Sequence, residues 1–408
     1  MSQIHMLTEA ARQTPVIDRV DVLIAGGGPA GIAAALASAR TGARTMLVER
    51  YGYLGGMITG ANVVAVLGCG DGRTAKVRGI TLEICRRLEK LGAVTATHDC
   101  GDYSVDAEML KWQAAEMLLG AGVTLRLHTL ACEPIIEDER VAGVLMESKS
   151  GRQAVRAAVV VDATADADLA WRTGCRCDNA THEVTLVLSV VGVDKQRAEE
   201  FKGRSPQEYQ TVVDEATRLN GGVMLGRTRL LKGVDVTDTV ALTQAEIQLR
   251  RECFDALTYL KAHMPGYQDT RVGLTCPQLG VRLSRRVCGE YVLTDDDLKS
   301  SRHFEDGIAR MGVYFPDWGP TYAIRGLDYD LPYRCLVPET ADGLLVVGRC
   351  VSADYVTANT LRLIAPCLAT GQAGGVAAAI AAHDACSPRN VRVSTLRTVL
   401  RSQDVFLG

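Results

Sequence analysis

Apolar and polar positions along the chain fall into two regimes, and the change between them outlines the molecule. Val20–Ala25 is an almost unbroken apolar run, the signature of a strand buried on both faces. It runs directly into Gly26-Gly27-Gly28-Pro29-Ala30-Gly31. Ile32–Thr41 is alanine-rich with apolar residues at helical spacing, Gly42 ends it, and Thr45–Val48 is a second buried strand closing on Glu49. The order is strand, glycine turn, helix, strand: a βαβ unit. Ile80–Leu91 and Asp106–Gly120 read as amphipathic helices and Val123–His128 as a strand. Cys132–Val161 alternates as a β-meander with turns at Glu137-Asp138-Glu139 and Ser150-Gly151, and Val159–Ala163 returns to the buried parallel-type pattern.

Near Thr185 the pattern breaks. From there to about Leu331 the chain is more polar, less regular and richer in proline and aromatic residues. Gly343–Val347 restores the buried-strand signature, and a small-residue helix is expected from about Gly371 to Ala382. The first lobe is therefore discontinuous, with the middle of the chain inserted into it. The expected fold class is α/β: a Rossmann-like nucleotide-binding domain, parallel sheet plus β-meander, with an inserted α+β substrate lobe. In residues, that is 18–185 with 331–385 for the first domain, 186–330 for the inserted lobe and 386–408 for a C-terminal helical tail. No internal repeat is present.

Bulk composition changes little in this picture but excludes several function classes. The chain has 408 residues, 47% hydrophobic and 23% charged, with a formal net charge of -3. Such a charge gives no reason to expect nucleic acid or an anionic membrane surface as partner. Residues 1–17 lack a basic segment followed by an apolar one, and the longest apolar runs fall short of the ~20 residues of a membrane span. A soluble, cytoplasmic protein is expected. Of 13 cysteines only Cys175 and Cys177 stand close together, without the spacing of a zinc or iron–sulfur site, so no metal is expected.

Gly26, Gly28 and Gly31 form G-x-G-x-x-G. The first glycine permits a tight turn, the second lets backbone approach a pyrophosphate, and the third lets helix pack on strand. The helix N-terminus then offers free N–H groups to the phosphates. Glu49, ending the next strand, is placed to accept bonds from ribose hydroxyls. The bland alternative is a tight turn beside a surface glutamate. All four elements in order favour an adenine dinucleotide, without separating FAD from NAD.

Other segments narrow the choice. Arg50–Met57 (RYGYLGGM), Val161–Leu169 (VDATADADL), Gly343–Arg349 with Cys350, Arg362 and Thr370–Gly375 (TGQAGG) come as a set, joined by Arg282–Leu293 and Tyr333–Pro338. Together they resemble the FAD-dependent oxidoreductase family of the glutathione-reductase-like superfamily, over nearly the whole chain. The resemblance implies FAD as cofactor, with contacts at Gly26, Gly28, Pro29, Ala30, Gly31, Glu49, Arg50, Gly55, Gly56, Met57, Cys132, Ala163, Thr164, Gly348, Arg349, Arg362, Gly371 and Ala373. It also implies that the last small-residue helix aims its N-terminus at the flavin pyrimidine. Ala165 stands where the family usually has glycine, in a turn where a positive φ disfavours alanine.

A second glycine fingerprint and a C-x-x-C or C-x4-C pair are both missing; Cys69 and Cys100 stand singly. A dithiol relay is therefore not expected, and electrons should pass directly between flavin and an organic substrate. The expected partners are a small-molecule substrate, an electron acceptor (oxygen, a quinone or NAD(P)) and, in a homo-oligomer, further copies of the chain. Arg282, Arg285, Arg286 and Arg362 are candidate anchors for a substrate carboxylate, with phosphate binding or interdomain ion pairs as the alternative. His303 and His182 are candidates for proton transfer, and Tyr355, Tyr314 and Tyr322 for lining a pocket. Of these, Arg282, Arg285, His303 and Tyr355 form the expected catalytic set. Two other readings compete with a dehydrogenase or oxidase. One is an NAD(P)H-using monooxygenase, although the late segment lacks that group's G-D-A-x-H. The other is an electron-transfer subunit without catalysis, which would not need the inserted lobe.

Overall fold

The computed structural model describes residues 7–71, 73–98, 102–179, 182–219, 230–314 and 324–408. Its centre is a seven-stranded sheet. β1 (Val16–Ala25) lies between β2 (Thr45–Val48) and β6 (Gly151–Asp162), parallel to both, and β3 (Thr124–Arg126) extends the parallel run beyond β2. β4 (Leu130–Glu137) and β5 (Arg140–Ser148) form the expected meander with β6. β6 is long enough to serve two partners on one edge. Its first half pairs antiparallel with β5, and its end pairs parallel with β7 (Leu344–Val346). The Val159–Asp162 stretch is buried on both faces, which explains its unbroken apolar sequence.

Two helices cover one face of this sheet. α1 (Pro29–Arg40) packs on α8 (Ile364–His383) through small residues. A Cβ at Gly371 would come within 2.1 Å of the Ala30 carbonyl oxygen, and one at Gly375 within 2.1 Å of that of Ala34. The two backbones therefore touch. α8 starts at Ile364, seven residues before the sequence pattern announces it, because Leu363–Leu368 lacks the small-residue bias that marks the remainder. By length and composition α8 resembles a membrane span, yet its apolar window is wholly buried here.

α2 (Ile80–Lys90) and α3 (Ala107–Gly120) match expectation, the second capped by Asp106, whose carboxylate accepts the Glu108 and Met109 N–H groups. β3 is shorter than the expected Val123–His128. The inserted lobe holds α4 (Lys195–Arg204), α5 (Pro206–Arg218), the long α6 (Thr239–His263) and short strands, with apolar clusters of its own between Val184 and Val281. Leu283, Leu293, Ile308, Met311, Tyr329 and Leu331 are buried in the principal core, among residues of α1 and α8. The tail carries α9 (Val393–Ser402), anchored by Leu396 and Leu400; before it, α7 (Tyr355–Leu361) leads into α8.

Candidate active site

The glycine turn is built so that two of its three glycines are dictated by the protein and one is not. Gly26 has φ +109° and would carry its Cβ 2.4 Å from the Ala163 carbonyl oxygen. A Cβ on Gly31 would lie 1.8 Å from the Gly26 oxygen. Both must be glycine for turn and helix to meet. At Gly28 a Cβ would find only the Gly56 Cα, at 3.9 Å. Packing leaves that space open, and a phosphate drawn close to the backbone would fill it. Pro29 opens α1, and no side chain caps it, so the first-turn N–H groups face the same space.

Glu49 is 8% exposed and fixed from two sides. One oxygen accepts the Gly27 N–H at 2.6 Å and the other the Tyr51 N–H at 2.9 Å. Each oxygen keeps a lone pair for a ribose hydroxyl. The Arg50–Met57 segment lies along the turn: Gly55 N–H donates to the Gly27 carbonyl at 2.9 Å, and Gly56 (φ +50°) would press a Cβ to 2.8 Å from the Gly28 Cα. Met57 begins a short helix there, whereas Arg50 is exposed with its guanidinium 4.9 Å from the Tyr51 ring. Cys132 is half-buried on β4, its thiol turned to the Leu130 carbonyl. These features fit an adenine dinucleotide.

After β6 the chain makes the D-A-T-A-D-A-D turn. Asp162 is wholly buried and organises it, accepting from the Thr164 N–H and hydroxyl and from the Leu169 and Ala170 N–H groups. Thr164, expected at the cofactor, uses its hydroxyl here and accepts the Asp168 N–H. Ala165 does adopt the left-handed conformation, φ +71°, and Ala167 follows at +55°. Asp166 accepts from Arg349 and from the Ser284 hydroxyl, each at 2.5 Å. Burial pushes its carboxyl up, but Arg349 and these bonds outweigh burial and hold it below the usual range. Arg285, expected as a substrate anchor, serves this loop instead. It donates to the Asp166 carbonyl at 3.2 Å and the Asp168 carboxylate at 3.1 Å, and its guanidinium lies 4.6 Å from the Trp171 ring.

A second group of side chains gathers where the lobes join. His182 comes from the first strand of the inserted lobe (His182–Thr185), and Arg282 follows a strand paired with it, Gly280–Val281. Arg286, Tyr355 and Arg362 come from the principal lobe. The Tyr355 ring is 5.4 Å from the His182 ring and 5.8 Å from the Arg286 guanidinium. His182 is 4% exposed, and neither ring nitrogen has a hydrogen-bond partner among the described residues. Burial, then the charges of Arg362, Arg286, Arg282 and Arg349, lower its pKa to about 4. Arg362 feels the same crowding: burial and the Arg282 charge bring it down to about 9.

Some expected residues lie elsewhere. His303 is half-exposed, beside Arg310 at 2.8 Å and Asp330 at 3.6 Å. It opens on a cleft of about 1010 Å³ lined by Arg302, Arg334, Arg389, Arg397 and Arg401, apart from the glycine turn. Gly371 and Ala373 are buried inside α8, Gly371 against the α1 backbone, because the helix begins about two to two and a half turns earlier. Gly348 (φ +86°) does approach the turn, 3.0 Å from the Ala30 Cβ by its own would-be Cβ. Cys69 is buried. Tyr322 and Cys100 lie outside the described residues. His182 and Arg286 emerge as the central pair of the junction. Sequence spacing hides them, since they lie in short strands of two different sheets.

Residues 21–400 match the model of the family described as FAD dependent oxidoreductase. Thiamine thiazole synthase of Aeropyrum pernix is 32% identical over 128 residues, 31% of this chain and 44% of that protein, so the chain spans less than half of that relative. Among solved structures, a geranylgeranyl bacteriochlorophyll reductase-like protein of Thermoplasma acidophilum is 13% identical, with TM-score 0.42, over 95% of this chain and 82% of that one. p-Nitrophenol 4-monooxygenase of Pseudomonas putida is 13% identical, with TM-score 0.44, over 95% and 79%. With a family match across almost its full length, and a glycine cradle that fits the cofactor, the chain belongs to the FAD-dependent oxidoreductases.

Proposed function

We propose that this enzyme oxidises or reduces a small organic substrate by direct hydride transfer to or from N5 of bound FAD, with oxygen or another acceptor closing the cycle. Bound FAD supplies a two-electron acceptor whose ring takes or gives the hydride. Gly28 with the first turn of α1 would hold the pyrophosphate, Glu49 the ribose, and Ala163 and Gly348 the stretch between.

The observation that carries the reading is the state of the thiols. Cys335, Cys350 and Cys367 are buried, and burial pushes each well above the ordinary thiol value. Cys177 is likewise pushed up to about 12, by burial first. Thiols that keep their protons make poor nucleophiles for a disulfide relay. Substrate electrons would therefore pass to the flavin without a dithiol station. Such a transfer separates a hydride from a proton, and His182, whose ring nitrogens have no partner among the described residues, would take or return that proton once bound substrate raises its basicity.

Anaerobic bleaching of the purified holoprotein against a metabolite panel tests this. Loss of the flavin band with one metabolite alone supports the reading. Bleaching only by NAD(P)H, with oxygen then consumed in product formation, would replace it with a monooxygenase; bleaching only by a protein redox partner would leave an electron carrier.

A further inference from the structure

We infer that the lobe junction bounded by Arg282, Arg286, Arg362, His182 and Tyr355 binds the substrate as an anion, a compound carrying at least one carboxylate. This rests on the reading above and adds the chemical class of the substrate.

The argument begins with Arg286. It is 5% exposed. Its Nε donates to the Ala353 carbonyl at 3.2 Å, and Nη2 lies 3.7 Å from Asp178, whose own carboxylate is 64% exposed. Nη1 is buried and has no hydrogen-bond partner among the described residues. A guanidinium withdrawn from water on such terms is costly unless an anion completes its bonds. Asp178 reaches only Nη2, and the other neighbouring acids are committed elsewhere. Asp166 belongs to Arg349 and Ser284, Asp168 to Arg285, and Glu183 lies 3.5 Å from Lys232 as well as near Arg282. Arg282, Arg286, Arg349 and Arg362 all bear on one buried position, that of His182.

His182 is the second observation. It is buried, with two ring nitrogens satisfied by no described group, although a polar atom in that position normally has a partner. A carboxylate or the adjoining hydroxyl of a substrate would satisfy both it and Arg286. Tyr355, 48% exposed, with its ring 5.4 Å from that of His182 and 5.8 Å from the Arg286 guanidinium, forms the solvent side. Placement at a junction of lobes is where small-molecule sites commonly form. The charges that bear on His182 come from both lobes: Arg282 from the inserted one, and Arg286, Arg349 and Arg362 from the other. A bound anion offsets them, so the imidazole becomes a better proton acceptor once substrate is in place.

The same oxyanion chemistry has a second source, the phosphates of the cofactor, and the experiment separates the two. Holoprotein is titrated with succinate, butyrate and 1,4-diaminobutane while the flavin absorbance is followed, with melting temperature recorded in parallel. Succinate and butyrate should give saturable spectral shifts and raise the melting temperature, and the diamine neither. Arg286→Gln and His182→Asn should retain FAD and weaken carboxylate binding at least tenfold, with Arg286→Lys intermediate. Unchanged circular dichroism of each variant without ligand should show that the junction still folds. Loss of FAD in Arg286→Gln, with no carboxylate response in the wild type, would assign this arginine to the cofactor phosphates and overturn the inference. So would retained FAD with no anion response. A chain that takes up no FAD would defeat the proposed function, while the melting shift with succinate would still decide whether the junction binds anions.

Discussion

Arg349 reaches Asp166 at 2.5 Å across 183 positions of sequence, joining the turn after β6 to the turn after β7. Both groups are largely buried, and the Ser284 hydroxyl completes the acceptor. The pair ties together the two loops that follow adjacent parallel strands, the place where open α/β sheets bind their ligands. Removing one partner strands the other charge. Asp166→Asn is expected to cost about 3–5 kcal/mol and to lower FAD retention, both measurable by urea unfolding and by flavin lost on gel filtration.

The three glycines of the cradle should separate experimentally. Gly28→Ala has room in the protein, so the cofactor-free chain should keep its stability while FAD affinity falls at least tenfold. Gly31→Ala drives a Cβ into the Gly26 carbonyl and should destabilise the chain with or without FAD. Equal destabilisation by both substitutions would show that Gly28 serves packing alone.

Ala165 holds a left-handed conformation that alanine adopts at a cost of about 1 kcal/mol or more. Ala165→Gly should therefore raise the unfolding midpoint slightly, by up to about 1 kcal/mol after the greater chain entropy of glycine is deducted. An unchanged or lowered midpoint would show that the turn does not carry that strain.

His182 sets a pH dependence whose sign follows from its environment. Its folded pKa, about 4, lies below the ordinary 6.5. Between those values the unfolded chain binds the proton and the folded chain does not, so stability falls as pH falls from 6.5 towards 4. At roughly 1.4 kcal/mol per pH unit the loss is at most about 3 kcal/mol. Chemical denaturation of cofactor-free protein across this range should show the decline, and His182→Asn should flatten it. Saturating succinate should shrink the decline, since an anion that favours the protonated ring brings the folded pKa closer to the unfolded one.

Much of this molecule is legible in its sequence because its principal lobe obeys strong local rules. An apolar strand running into G-x-G-x-x-G and an alanine-rich helix has few other solutions, and turns such as Ser150-Gly151 mark the meander. The start of α8 at Ile364 is hidden in the sequence because Leu363–Leu368 carries ordinary apolar residues. Buried helix and loop are hard to separate there without tertiary contacts. Outside the cradle, Tyr355 lies beside His182 and Arg286, Arg285 is drawn into the acid turn, and His303 faces another cleft. His182 and Arg286 come together from short strands of two different sheets, each paired to a segment far off in the chain, and no periodicity encodes that.

The backbone contact between α1 and α8 bears on how the molecule is made. The cofactor cradle belongs to the first fifty residues, yet the helix that seats it ends at His383. During synthesis at ~5–20 residues per second, the glycine turn emerges long before its support. The inserted lobe, with clusters of its own, can condense in the interval, while Val20–Ala25 and Thr45–Val48 wait as exposed apolar strands. Cofactor capture is therefore a late event in the life of the nascent chain, and the early strands need shielding until α8 has left the ribosome.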